Sequence, residues 1–104
     1  MRYAIVLAPS AVRELRALSA HVRATVRDAI ERHLRYEPTK LSKSRIKRLR
    51  GLSRPQFRLR IGDTRVFYDV TDEAVEILAI IGKTQVEAWL GEHGEPDPGS
   101  AGQG

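Results

Sequence analysis

The chain has 104 residues, 41% hydrophobic and 30% charged, which suits one domain that folds on its own core. It has no cysteine, which excludes disulfides and thiolate chemistry and is compatible with a reducing cytoplasm. The net charge of +5 is unevenly placed: residues 40–65 carry ten basic side chains against Asp63 alone, whereas residues 66–104 carry eight acids against Lys83.

The apolar run at the N-terminus is too short for a signal peptide. No stretch approaches the roughly 20 apolar residues that span a bilayer, so the chain reads as cytoplasmic with no membrane partner. Arg2 to Ala8 is rich in β-favouring residues and ends at Pro9, as a strand does. Pro9-Ser10 opens a helix with Val12, Leu15 and Leu18 at helical spacing. Ser19 is placed to cap a second helix, which carries Val22, Val26, Ala29, Ile30, His33 and Leu34 on one stripe and ends by Pro38. Thr39 to Pro55 is basic and reads as a loop, anchored by Ile46, Leu49 and Leu52, with a turn at Gly51.

From Phe57 the period changes to two. Phe57–Ile61 and Thr64–Val70 flank Gly62-Asp63, a pair suited to a two-residue hairpin turn. Thr71-Asp72-Glu73 turns the chain into Val75–Ile81, which is nearly apolar on both faces, as a central strand is. Thr84–His93 carries Val86, Trp89 and Leu90 at helical spacing. The Gly/Pro-rich residues from Gly94 read as a disordered tail. The expected organisation is one α+β domain over 1–93, with a tail over 94–104. It comprises an N-terminal strand, a helical hairpin, an antiparallel β-meander and a short C-terminal helix.

A two-residue turn fixes the hairpin register. It sets Arg60 opposite Arg65 and Arg58 opposite Phe67, with Phe57, Leu59, Ile61, Val66 and Tyr68 on the other face. Like charges directly opposed across strands are destabilising. Three guanidiniums on one face form a phosphate clamp, and Phe67 offers a surface for a stacked base. Read without function, the arginines are simply solvated on flexible stems. The basic loop adds Lys43, Lys47, Arg48 and Arg50 as candidate RNA contacts. No His/Asp/Glu cluster has metal-ligand spacing, no phosphate-binding glycine loop is present, and no cofactor is expected.

Four segments together resemble the RelE/ParE superfamily of bacterial toxins over roughly residues 3–90. They are YAIVLAPSAVRELRAL, IKRLRGL, FRLRIGDTRVFYDV and VEILAIIGK. The resemblance implies a compact α+β fold and a cognate antitoxin that blocks the site. It implies one of two activities: cleavage of mRNA in the ribosomal A site, or inhibition of DNA gyrase without nuclease activity. Carried over by position, Arg58, Arg60 and Arg65 fall on the catalytic basic positions of the hairpin, and Lys83 stands where the ribonucleases often have a second arginine. The tyrosine that such enzymes carry near the C-terminus is missing here. The resemblance therefore points first to a ribosome-dependent endoribonuclease with mRNA and the ribosome as partners. Gyrase inhibition, or a catalytically inactive antitoxin-binding relative, is the alternative.

Overall fold

A computed structural model describes residues 1–101. The elements run β1 (Ala4–Leu7), α1 (Pro9–Ala17), α2 (Ala20–Leu34), β2 (Ile46–Arg48), β3 (Leu52–Arg54), β4 (Phe57–Ile61), β5 (Thr64–Val70), β6 (Ala74–Gly82), a 3-10 turn (Lys83–Gln85), α3 (Val86–His93) and β7 (Glu95–Pro96), followed by a helical turn at Pro98–Ala101. The fold is α+β, as the sequence leads one to expect. None of its helices is long and apolar enough to cross a membrane among the described residues.

Five strands form one sheet in the order β1-β6-β5-β4-β2, with β1 parallel to β6 and the others antiparallel. The hairpin register is the expected one, from Ile61 opposite Thr64 to Phe57 opposite Tyr68. Gly62 makes the turn possible: its φ of 57° is the positive value that a type II′ turn needs at its first central residue. Central β6 is buried on both faces, which is why its sequence does not alternate.

The helical hairpin covers one face. Pro9 opens α1 at the position where a missing N–H costs nothing. The Ser19 hydroxyl accepts from the Val22 N–H at 3.4 Å and caps α2. Ala11 and Leu15 of α1 and Val26, Ile30 and Leu34 of α2 pack on Phe57, Leu59, Val66, Tyr68, Val75, Ile77 and Ile80. Tyr68 is fully buried, and its hydroxyl donates to the Pro38 carbonyl at 2.6 Å, which ties the end of the helical hairpin to the sheet.

Two features depart from the sequence reading. The basic stretch contains two short strands, β2 and β3, with Ile46 reaching the core as expected. Glu95–Pro96 pairs with β3, and the Asp97 N–H donates to the Gly51 carbonyl at 2.9 Å. The fold thus continues past the boundary expected after His93. The last part of the expected tail, 102–104, lies outside the described residues.

Candidate nucleic-acid interface

The face of the sheet turned away from the helical hairpin divides into three zones along the strands. At one end, Arg58 and Arg60 of β4 and Arg65 of β5 share the face by strand alternation. Lys47 joins them, because β2 pairs it with Arg58. Arg60 and Lys47 are exposed, and Arg58 and Arg65 are half-buried. Burial first, and then the charges of Arg65 and Arg60, hold the Arg58 guanidinium below its ordinary pKa. Its Nε is buried and has no hydrogen-bond partner. No carboxylate pairs with any of the three arginines among the described residues. Arg65 is held by its own turn, with Nη1 donating to the Gly62 carbonyl at 2.7 Å and the Thr64 carbonyl at 3.1 Å. Lys83 stands at the same turn. Its N–H donates to the Asp63 carbonyl at 2.8 Å, and its ammonium pairs with the Asp63 carboxylate at 3.3 Å.

The middle zone is apolar and covered. Phe67 is fully buried with Ala79 and Ile81, and α3 lays Val86, Trp89 and Leu90 over them. Trp89 stacks on Phe67 with ring centroids 5.1 Å apart. The expectation that Phe67 stacks on a base is therefore corrected: the protein's own tryptophan occupies that surface. Trp89 is a packing residue, as its spacing suggests.

The far zone is acidic. Asp69 and Glu76 stand directly opposed on β5 and β6. Arg54 reaches both, at 3.5 and 2.9 Å, and also Glu95 at 3.6 Å. Asp69 further accepts from the Gln56 N–H at 2.8 Å. Its carboxyl is nonetheless pushed up, because burial outweighs the Gln56 hydrogen bond and the Arg54 charge. Asp69 is thus committed to Arg54 and leaves the arginine zone unneutralised.

The remaining candidates divide. Arg48 lies opposite Phe57, and its guanidinium sits 5.1 Å from that core ring. It therefore faces the helical side, apart from the arginine cluster: a three-residue strand sends Lys47 and Arg48 to opposite faces. Lys43 and Arg50 are exposed on the segments either side of β2, and no strand register joins them to the cluster. The histidines are all elsewhere. His21 is exposed on α2. His33 lines a cleft beside Arg45. His93 lies against Trp89 and shares a hollow with Arg54 and Glu95, at the acidic end.

Arginines this close, with unused donors and no internal counter-charge, can hold phosphate oxygens and stabilise charge developing on them. They remain protonated and do not act as bases.

A model of the ParE toxin of type II toxin–antitoxin systems (parDE) matches residues 5–86. Three solved structures are similar. In the RelBE2 toxin–antitoxin complex of Mycobacterium tuberculosis, a chain superposes with a TM-score of 0.63 at 26% identity, covering 79% of this chain and 99% of that one. The archaeal RelE–RelB complex of Pyrococcus horikoshii gives 0.60 at 28% identity, with 80% and 97% covered. The RelB–RelE antitoxin–toxin complex of Methanococcus jannaschii gives 0.61 at 17% identity, with 81% and 96% covered, a likeness of fold. A search of the curated proteins found no match.

Proposed function

Since the chain belongs to the ParE toxin family of type II toxin–antitoxin systems, and is the toxin of such a pair, we propose that it acts on RNA, as a ribosome-dependent mRNA endoribonuclease. The observation that carries this reading is the opposed pair Arg60 and Arg65, joined by Arg58 and left without a counter-ion among the described residues. The substrate's 2′-hydroxyl loses its proton to solvent and attacks the adjacent phosphorus, forming a 2′,3′-cyclic phosphate, and the 5′-oxygen leaves, taking a proton from solvent. Arg58, Arg60 and Arg65 stabilise the charge on the pentavalent phosphorus, and Lys83 stands at the rim, paired with Asp63. An antitoxin with an acidic segment is the natural inhibitor of such a surface.

A second reading has its own support. The three histidines lie away from the arginines, and the Tyr68 hydroxyl is buried, bonded to Pro38 and pushed well above its ordinary range by that burial. Inhibition of DNA gyrase needs no proton-transfer group. Mapping mRNA 5′ ends in a reconstituted translation reaction separates the two. New ends within A-site codons, lost with Arg65→Ala, support the ribonuclease. Intact messages from folded protein refute it, and inhibition of gyrase supercoiling by the same preparation then supports the second reading.

A further inference from the structure

Around the β2 edge from the arginine zone lies a cleft of about 180 Å³ between the end of α2 and the segment leading into β2. Arg32, His33, Glu37, Lys40, Ser42 and Arg45 line it. Small-molecule sites are usually roughly 300–1,000 Å³, so this volume suits a phosphoryl group better than a whole nucleotide.

Its polar groups are arranged for an anion. The Ser42 Oγ accepts the N–H groups of Arg45 and Ile46 at 2.9 and 3.0 Å. With its lone pairs so used, the hydroxyl proton remains to be donated. The Arg45 side chain makes no hydrogen bond or ion pair among the described residues. Arg32 pairs with Asp28 at 3.3 Å and Lys40 with Glu37 at 3.5 Å, all four well exposed. Pairs of that kind are worth little and re-aim readily. His33 is half-buried, and burial, then Arg45 and Arg32, disfavour its charged form, opposed by Asp28. An anion between these groups reverses that balance.

The cleft borders the strand edge beyond which the candidate interface lies. The Arg60 N–H donates to the Arg45 carbonyl at 2.8 Å, so the backbone of Arg45, one residue before β2, lies beside that of Arg60. Arg45 lines the cleft, and Arg60 is exposed on β4.

We propose that this cleft is a second phosphate site, in which Arg45, Lys40, Ser42 and His33 hold a backbone phosphate of the RNA strand whose scissile bond lies among Arg58, Arg60 and Arg65. The proposal rests on the RNA reading above, and its test keeps the two separable.

The probe is a 2′-O-methyl RNA oligonucleotide, which cannot be cleaved by 2′-hydroxyl attack. Its affinity for the full chain is followed by fluorescence anisotropy across a salt series, and the His33 imidazole is titrated by NMR with and without it. Each backbone phosphate contact on a single strand contributes about 0.7 to the slope of log K against log salt. Arg45→Ala and Lys40→Ala are each expected to lower the slope by about that amount. Arg13→Ala, which removes the same charge from an exposed position on α1, is expected to leave it unchanged. Bound oligonucleotide is expected to raise the His33 pKa in the wild-type chain and not in Arg45→Ala. If Arg60→Ala lowers the slope while Arg45→Ala and Lys40→Ala do not, and His33 is unmoved, the cleft proposal fails and the RNA reading survives. An Arg13→Ala effect as large as that of Arg45→Ala also overturns it. Failure of the oligonucleotide to bind the wild-type chain overturns both.

Discussion

Arg58→Met separates the stability of this fold from its proposed function, because the two are expected to move in opposite directions. Methionine keeps an unbranched stem of similar length against the sheet and removes the guanidinium. Two costs disappear with it. The buried Nε has no partner, and an orphaned buried donor costs about 1–3 kcal/mol. Arg60, two residues along the same strand, and Arg65, diagonal to it on β5, also act on Arg58 as like charges, at a smaller cost than a directly opposed pair. Against this stands some loss of packing, since Met does not reproduce every contact of the arginine stem. A net gain of about 1–2 kcal/mol is expected. With a urea m-value of about 1 kcal/mol/M for a small domain, the unfolding midpoint rises by roughly 1–2 M. The same variant is expected to lose toxicity and most of its affinity for the oligonucleotide. Urea unfolding followed by far-UV circular dichroism checks the first half. A midpoint equal to or below that of the wild type refutes the reasoning, for it means that Arg58 is supported by the fold and not strained in it.

Trp89→Ala uncovers the fully buried Phe67; a loss of about 2–4 kcal/mol is expected for a half-buried tryptophan, read from thermal unfolding. Arg54→Ala leaves the opposed Asp69 and Glu76 without their shared cation and frees Glu95 of β7. It is expected to cost about 1–3 kcal/mol and to speed proteolysis near Gly94. Lys47→Glu places a carboxylate opposite Arg58; it is expected to stabilise by about 0.2–1 kcal/mol while weakening RNA binding more than Lys47→Ala does. For His33, the folded pKa lies below the unfolded value near 6.5. The unfolded chain therefore binds more protons in that window, and stability is expected to fall as pH drops from about 7 through the folded pKa. His33→Gln flattens that slope in urea titrations at stepped pH, and an unchanged slope removes His33 as its source.

The hairpin was legible residue by residue, because Gly62-Asp63 permits one short turn and side-chain alternation then assigns every position to a face. Alternation cannot say what covers a face. Phe67 was correctly placed beside the arginines and wrongly left open, since α3 comes from a separate segment and its docking is a tertiary event. A signal was present: Trp89, Val86 and Leu90 need an apolar partner, and Phe67 with Ile81 is the apolar part of that face. β2 was hidden by its length and charge. Its three residues give no periodicity of their own, although Ile46 stands opposite apolar Leu59 and Lys47 opposite basic Arg58. β7 was hidden for another reason. Glu95–Pro96 has no strand propensity, and it is held by backbone pairing with β3, by Ser53 donating to the Glu95 carbonyl at 3.2 Å and by Arg54.

The outer face carries two pairs of like charges directly opposed across neighbouring strands, and the fold treats them differently. Asp69 and Glu76 share Arg54, which converts a repulsive pair into a bridged one. Arg60 and Arg65 stand in the corresponding relation on β4 and β5, with Arg58 beside them, and receive no acid. The chain does not lack acids: eight follow Val66, and Glu87 and Glu92 lie on α3, the helix that crosses this face. Nor does it lack space, because Arg60 and Lys47 are exposed. An acid at position 47 would face Arg58, beside the pair. A fold that bridges one such pair and leaves the other open gives up on the order of 1 kcal/mol, a sizeable share of the 5–15 kcal/mol that holds a domain together. An external anion recovers that cost when it binds, so the unbridged pair marks the place on the sheet where a phosphate gains the most.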